Sequence, residues 1–163
     1  MATTSSSIDA VDEGAIGSGA TAVGAFDRVL LAVDGDTDER VREVAVSLAA
    51  AHGAELDVLS VVPLDSSVDH WDMVVERRED EAEAALDGAG EVADAAGVPV
   101  SKWLRYGTPA EEIGLYADGN DVDLVVVAEP DRSGFKRLFS PSNLASDVRD
   151  ATAVPVVSVP TNE

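Results

Sequence analysis

The sequence predicts an α/β protein: a five-stranded parallel sheet with helices on both faces. Three observations carry that expectation. Short apolar runs recur along the chain, each too short for a helix. Amphipathic helical stretches alternate with them. Gly, Pro, Asp and Thr punctuate the joins. The 163 residues suit one ordinary domain, and a hydrophobic share of 45% supplies its core.

Residues 1–25 are rich in Ser, Thr, Ala and Gly and contain no basic residue. They lack the basic start and apolar run of a secretory signal, and read as a disordered acidic tail. The domain is expected over residues 26–160, with a short tail at 161–163. Arg28 to Val33 (RVLLAV) is the first strand, apolar on both faces. Asp34-Gly35-Asp36-Thr37 breaks it, and Asp36 or Thr37 is the expected cap of the first helix. Val41, Val44, Ala45, Leu48 and Ala49 share one face of that helix, and Gly53 ends it. His52, at its end, reads as a cation facing the negative helix terminus.

Leu56 to Val62 (LDVLSVV) is the second strand, closed by Pro63. A long amphipathic helix follows over Asp69 to Ala96, weakened by Gly88 and Gly90 and capped by Gly97. His70 and Trp71, before it, read as packing residues. Pro99 to Tyr106 alternates as a half-exposed third strand, with Trp103 in core or edge packing. Thr108 caps the next helix, Pro109 takes its first position, and Glu111 and Glu112 favour its dipole. Asp123 to Ala128 is the fourth strand, Leu144 to Arg149 lies in the last helix, and Pro155 to Val159 is the fifth strand. Ligands of such sheets sit beyond the carboxyl ends of the central strands. The candidate positions are Asp34 to Asp36, Val61 to Asp65, and Ala128 onward.

Charge and composition remove several functions. The chain has 32 acidic and 11 basic residues, a net charge of −21, and no cysteine. Disulfide scaffolds, thiol catalysis and thiolate metal sites are excluded. His52 and His70 cannot make a multi-histidine zinc site. So negative a surface disfavours nucleic acid and anionic membranes, and no apolar run is long enough to span a bilayer. The expected location is cytoplasmic. Lys102 and Lys136 are the two lysines; the other cations are arginines. Dense carboxylate with little lysine is the composition expected of a halophilic protein. At 1 M salt a Debye length of about 3 Å screens the self-repulsion.

Several segments together resemble the universal stress protein family. FDRVLLAVDGDTDERVREVAVSLA is similar to that family's first strand, terminal Asp and first helix. RYGTPAEEIGLYADGNDVDLVVVA is similar to its Gly-x-Pro-Ala-Glu-Glu-Ile helix and following strand. DRSGFKRLFSPSN and AVPVVSVP resemble its basic loop and closing strand. The resemblance covers Phe26 to Pro160. It implies a Rossmann-like sheet of strand order 3-2-1-4-5, the adenine nucleotide alpha hydrolase-like arrangement. It also implies a homodimer paired through residues 154–159.

Some members of that family bind ATP through Gly-x2-Gly-x9-Gly-Ser/Thr after the fourth strand. Glycines let backbone N–H groups approach phosphate closely. Here the three glycine positions fall on Ala128, Asp131 and Pro141, followed by Ser142. Asp131 puts a carboxylate where phosphate lies. Two unit charges ~4 Å apart repel by about 4 kcal/mol at an effective dielectric of 20. Pro141 has no N–H to donate. Asp34, matching the family's adenine-side Asp, is retained, and Val61 and Val127 are expected to line an adenine-sized slot. Against this, Arg132, Lys136 and Arg137 concentrate positive charge near Ser142 in a very acidic chain.

The candidate cofactor-binding residues are therefore Asp34, Val61, Val127, Ala128, Arg132, Lys136 and Ser142. The expected function is regulatory or protective, by binding rather than turnover, with weak or no ATP binding. The alternative is an ATP- or AMP-binding module using Asp34 and the basic cluster. Slow ATP hydrolysis ranks behind both, because no base stands out beyond Asp34 or Asp36. A receiver-like acidic pair at Asp34 and Asp36 lacks the expected acceptor Asp after the third strand. ATP is thus the one cofactor left open, no metal is expected, and a further protein partner is unidentified.

Overall fold

The computed structural model describes residues 25–64, 71–129 and 144–160. Residues 1–24 and 161–163, His70, and Asp131, Arg132, Lys136, Arg137, Pro141 and Ser142 lie outside the described residues. The elements run β1 (Arg28–Ala32), α1 (Glu39–His52), β2 (Glu55–Pro63), α2 (Trp71–Ala95), β3 (Val100–Gly107), α3 (Pro109–Gly119), β4 (Leu124–Ala128), α4 (Leu144–Ala151) and β5 (Val156–Val159).

The strands form one sheet in the order β3-β2-β1-β4-β5, and every neighbouring pair is parallel. The expected architecture and strand order are those observed. The order of strand addition reverses at β1, whose Leu30 faces Asp57 of β2 on one side and Val125 of β4 on the other. That reversal opens a crevice at the carboxyl ends of these strands.

Successive β1 residues enter different cores, as the two-residue period of a strand requires. Val29, Leu31 and Val33 pack with Val41 and Ala45 of α1 and Leu86 and Ala89 of α2. Leu30 and Ala32 pack with Ile113, Tyr116 and Ala117 of α3 and Val148 of α4. Val29, Leu30 and Leu31 are wholly buried, so the unbroken apolar run in the sequence reflects burial on both faces. The edge strand β3 differs: Trp103 is 48% exposed.

Some local expectations change. The cap of α1 is Asp38, whose side chain accepts from the Arg40 N–H at 3.0 Å, instead of Asp36 or Thr37. Thr37 is committed elsewhere, as described below. His52 lies in the last turn of α1, as expected, and its Nδ1 also accepts from the Phe26 N–H at 3.4 Å, with its ring 4.5 Å from that of Phe26. β4 begins at Leu124, one residue later than expected, and the Asp123 carboxylate before it accepts from the N–H groups of Asp27 and Arg28, at 2.7 and 3.0 Å.

Gly53 ends α1 with φ 65°, the left-handed conformation that suits glycine. α2 continues through Gly88 and Gly90. A Cβ at Gly88 would lie 3.0 Å from Nη1 of Arg42, so the glycine makes room for a guanidinium between α1 and α2. Thr108 is the N-cap of α3 with Pro109 in the first turn, yet its side chain makes no capping hydrogen bond. No helix among the described residues is long and apolar enough to cross a membrane.

Candidate functional site

The carboxyl ends of β1, β2 and β4 open onto a cavity of about 550 Å³. That volume falls within the usual range for small-molecule sites. Ala32 to Thr37 form one wall, where β1 turns toward α1. Leu59, Ser60, Val61 and Pro63 of β2 form the next. Arg78, Glu81 and Ala82 of α2, Pro109 and Ile113 of α3, Ala128 and Leu144 complete the described lining.

The turn after β1 is held by its own polar groups. The Asp34 N–H donates to Thr37 Oγ1 at 2.8 Å. Asp34 Oδ1 accepts from the Asp36 N–H at 2.8 Å and from the Thr37 hydroxyl at 3.2 Å. This is an Asx-type turn, in which a short carboxylate substitutes for backbone partners. Arg42 Nη2 donates to the Thr37 carbonyl at 2.9 Å, tying the turn to the first helix. These bonds occupy Thr37 and move the cap to Asp38. Beside the turn, the buried Ser60 hydroxyl donates to the Val33 carbonyl at 2.8 Å, locking the β1 end to β2. The turn's shape is thereby set before any ligand arrives.

The structure brings Asp34, Val61 and Ala128 together on this cavity. Val127 departs from expectation. It is wholly buried in the core under α3 and α4, because alternation along β4 turns it from the cavity its neighbour Ala128 lines. Arg132, Lys136 and Ser142 lie outside the described residues. Among the described residues, no group of three or more His, Asp or Glu side chains is placed to hold a metal ion.

Sequence reasoning missed Arg78 and Glu81. It placed them on the charged side of a long helix, and no local pattern reveals which of those charges face β1. Arg78 Nη1 donates to the Pro63 carbonyl at 2.8 Å, and Glu81 lies beside Gly35. The described walls thus carry three carboxylates, Asp34, Asp36 and Glu81, against the guanidinium of Arg78.

It also missed Asp57, inside the second strand's apolar run and only 1% exposed. Arg28 Nη1 donates to its two oxygens at 3.0 and 3.1 Å, and the Tyr116 hydroxyl donates at 2.7 Å. Burial first, then the bond to Asp57, pushes the Tyr116 hydroxyl well above the usual tyrosine range. The Arg105 guanidinium lies 5.0 Å from the centre of the Tyr116 ring. A charged residue in the middle of an apolar run was the available signal.

Comparison with known proteins gives one consistent result. The model of the universal stress protein family matches residues 25–160. A universal stress protein of Methanocaldococcus jannaschii is 25% identical over 145 residues, covering 85% of each chain. A universal stress protein solved in complex with cAMP has a TM-score of 0.67 at 24% identity, covering 83% of this chain and 98% of that one. One from Archaeoglobus fulgidus, in complex with dAMP, has a TM-score of 0.61 at 22% identity, covering 81% and 96%. These two structural likenesses speak for the fold.

Proposed function

Because this chain belongs to the universal stress protein family, we propose that it acts by binding, in a regulatory or protective role, without turnover. Its cavity takes the nucleoside part of an adenine nucleotide and holds a triphosphate weakly or not at all. The observation that carries this reading is the cavity itself. It lies at the switch in strand order, joins Asp34, Val61 and Ala128, and is acidic on its described walls. Base and ribose are uncharged, with N–H and O–H groups that carboxylates accept. A polyphosphate meets repulsion from the same carboxylates. Asp131 and Pro141, in place of loop glycines, add to that reading from the sequence. The two structural relatives above hold cAMP and dAMP, each with a single phosphate.

A second reading keeps ATP or AMP as the full ligand. Arg132, Lys136 and Arg137, with Ser142, favour it by concentrating positive charge in the loop after β4. Calorimetric titration with adenosine, AMP and ATP, in magnesium and high salt, separates the two. Adenosine binding as tightly as AMP and ahead of ATP supports the first, and micromolar saturation by ATP or AMP well ahead of adenosine supports the second.

The acidic composition fits a protein working in a salt-rich cytoplasm. The protein acts as a homodimer through residues 154–159. β5 is an edge strand paired to β4, and Val157 is 37% exposed on it. Light scattering in molar salt tests this: a monomer contradicts it.

A further inference from the structure

The cavity wall supplied by α2 carries opposite charges one helical turn apart. Arg78 and Glu81 stand three residues apart, on neighbouring positions of one helix face, and both line the cavity. Arg78 is tethered, its Nη1 donating to the Pro63 carbonyl at 2.8 Å. Glu81 lies against the β1 turn. A Cβ placed on Gly35 would be 3.7 Å from the Glu81 Cβ and 3.8 Å from its Oε2. A side chain at position 35 would make ordinary contact with Glu81, which places that carboxylate beside the Asp34 to Asp36 turn on the cavity wall. The Arg77 guanidinium is 4.0 Å from Glu81, but the two side chains are 79% and 60% exposed. So loose a surface pair leaves most of the Glu81 charge in effect.

We propose that Glu81 sets this site's discrimination against phosphate charge, with Arg78 one turn before it acting in the opposite direction. This rests on the adenine-ligand reading above and names the residue that grades its ligands. The reason is Coulombic. The energy between a fixed carboxylate and a ligand scales with ligand charge, so Glu81 acts little on adenosine, more on AMP and most on ATP. Glu81 is 60% exposed, so salt screens this effect and low salt brings it out.

The test is a titration series on the full chain, at the lowest salt concentration at which it stays folded. Wild type, Glu81→Gln, Arg78→Gln and Glu91→Gln are each titrated with adenosine, AMP and ATP. Glu91 is an exposed residue of α2 outside the cavity lining, so its variant makes the same charge change elsewhere. Expected for Glu81→Gln is a gain of roughly tenfold in ATP affinity relative to adenosine, with AMP between. Arg78→Gln moves the ratio the other way, and Glu91→Gln leaves it in place. Adenosine binding with an unchanged ATP-to-adenosine ratio in Glu81→Gln overturns the assignment of Glu81 while leaving the adenine reading intact. Equal shifts in Glu81→Gln and Glu91→Gln overturn it too, since overall charge would then be responsible. No binding of any of the three ligands to wild type overturns the adenine reading and this inference with it.

Discussion

Asp57 and Asp34 belong to adjacent strands, one inside the sheet and the other just past its end. Asp57 is 1% exposed and closed off, held by Arg28 and the Tyr116 hydroxyl. Asp34 is exposed on the cavity wall, with Oδ1 engaged in its own turn. The difference lies in how many partners the fold supplies. A carboxylate whose acceptor sites are filled by the protein fixes architecture. One that the fold leaves partly open beside a cavity is available to a ligand. The two should therefore respond to substitution in opposite ways, Asp57 through stability and Asp34 through binding.

The largest expected effect is at Asp57. Asp57→Ala leaves the buried Tyr116 hydroxyl without its acceptor, while Arg28, one-third exposed, keeps Glu55 at 2.9 Å, and should cost about 3 kcal/mol. Chemical denaturation at constant salt measures it. A loss under about 1 kcal/mol would place this network among ordinary surface pairs.

Next comes Tyr116→Phe, which removes one hydrogen bond to a charged acceptor, worth about 1.5–3 kcal/mol. It also carries a pH signature. The folded Tyr116 hydroxyl titrates above its unfolded value, so its stabilisation is complete below the unfolded pKa, about 10. It is lost as pH rises from there through the folded value. Wild type should lose stability above about pH 10 more steeply than Tyr116→Phe. Parallel curves for the two proteins would contradict the role given to this hydroxyl.

The smallest stability effect is expected at Asp34. Asp34→Asn keeps an acceptor for the Asp36 N–H and should change stability by no more than about 0.5 kcal/mol. Adenosine affinity should nevertheless fall roughly tenfold. A variant that unfolds early but binds normally would reverse the comparison between the two aspartates.

Most of the sheet was legible because its signals are local. RVLLAV and DLVVVA are apolar over strand length, and Gly53 and Pro109 mark helix ends by backbone conformation. Asp34, Val61 and Ala128 were legible because strand ends in this topology converge on one crevice. What was hidden depends on tertiary partners. The cap of α1 moved to Asp38 because Thr37 is held by Asp34 and Arg42. Val127 was misplaced because reaching the cavity depends on where β4 ends against alternation. Arg78 and Glu81 became cavity residues only through the packing of α2 beside the β1 turn. Asp57 looked like an interruption in a strand, and its meaning depends on Arg28 and Tyr116, distant in sequence.

The binding reading is tested most directly by calorimetry on the full chain in magnesium and molar salt, with adenosine, AMP and ATP compared in one series. Expected is saturable binding of adenosine or AMP, with ATP weaker by about tenfold or more. Micromolar saturation by ATP, tighter than adenosine, would contradict it and return the loop after β4 to the role of a phosphate grip.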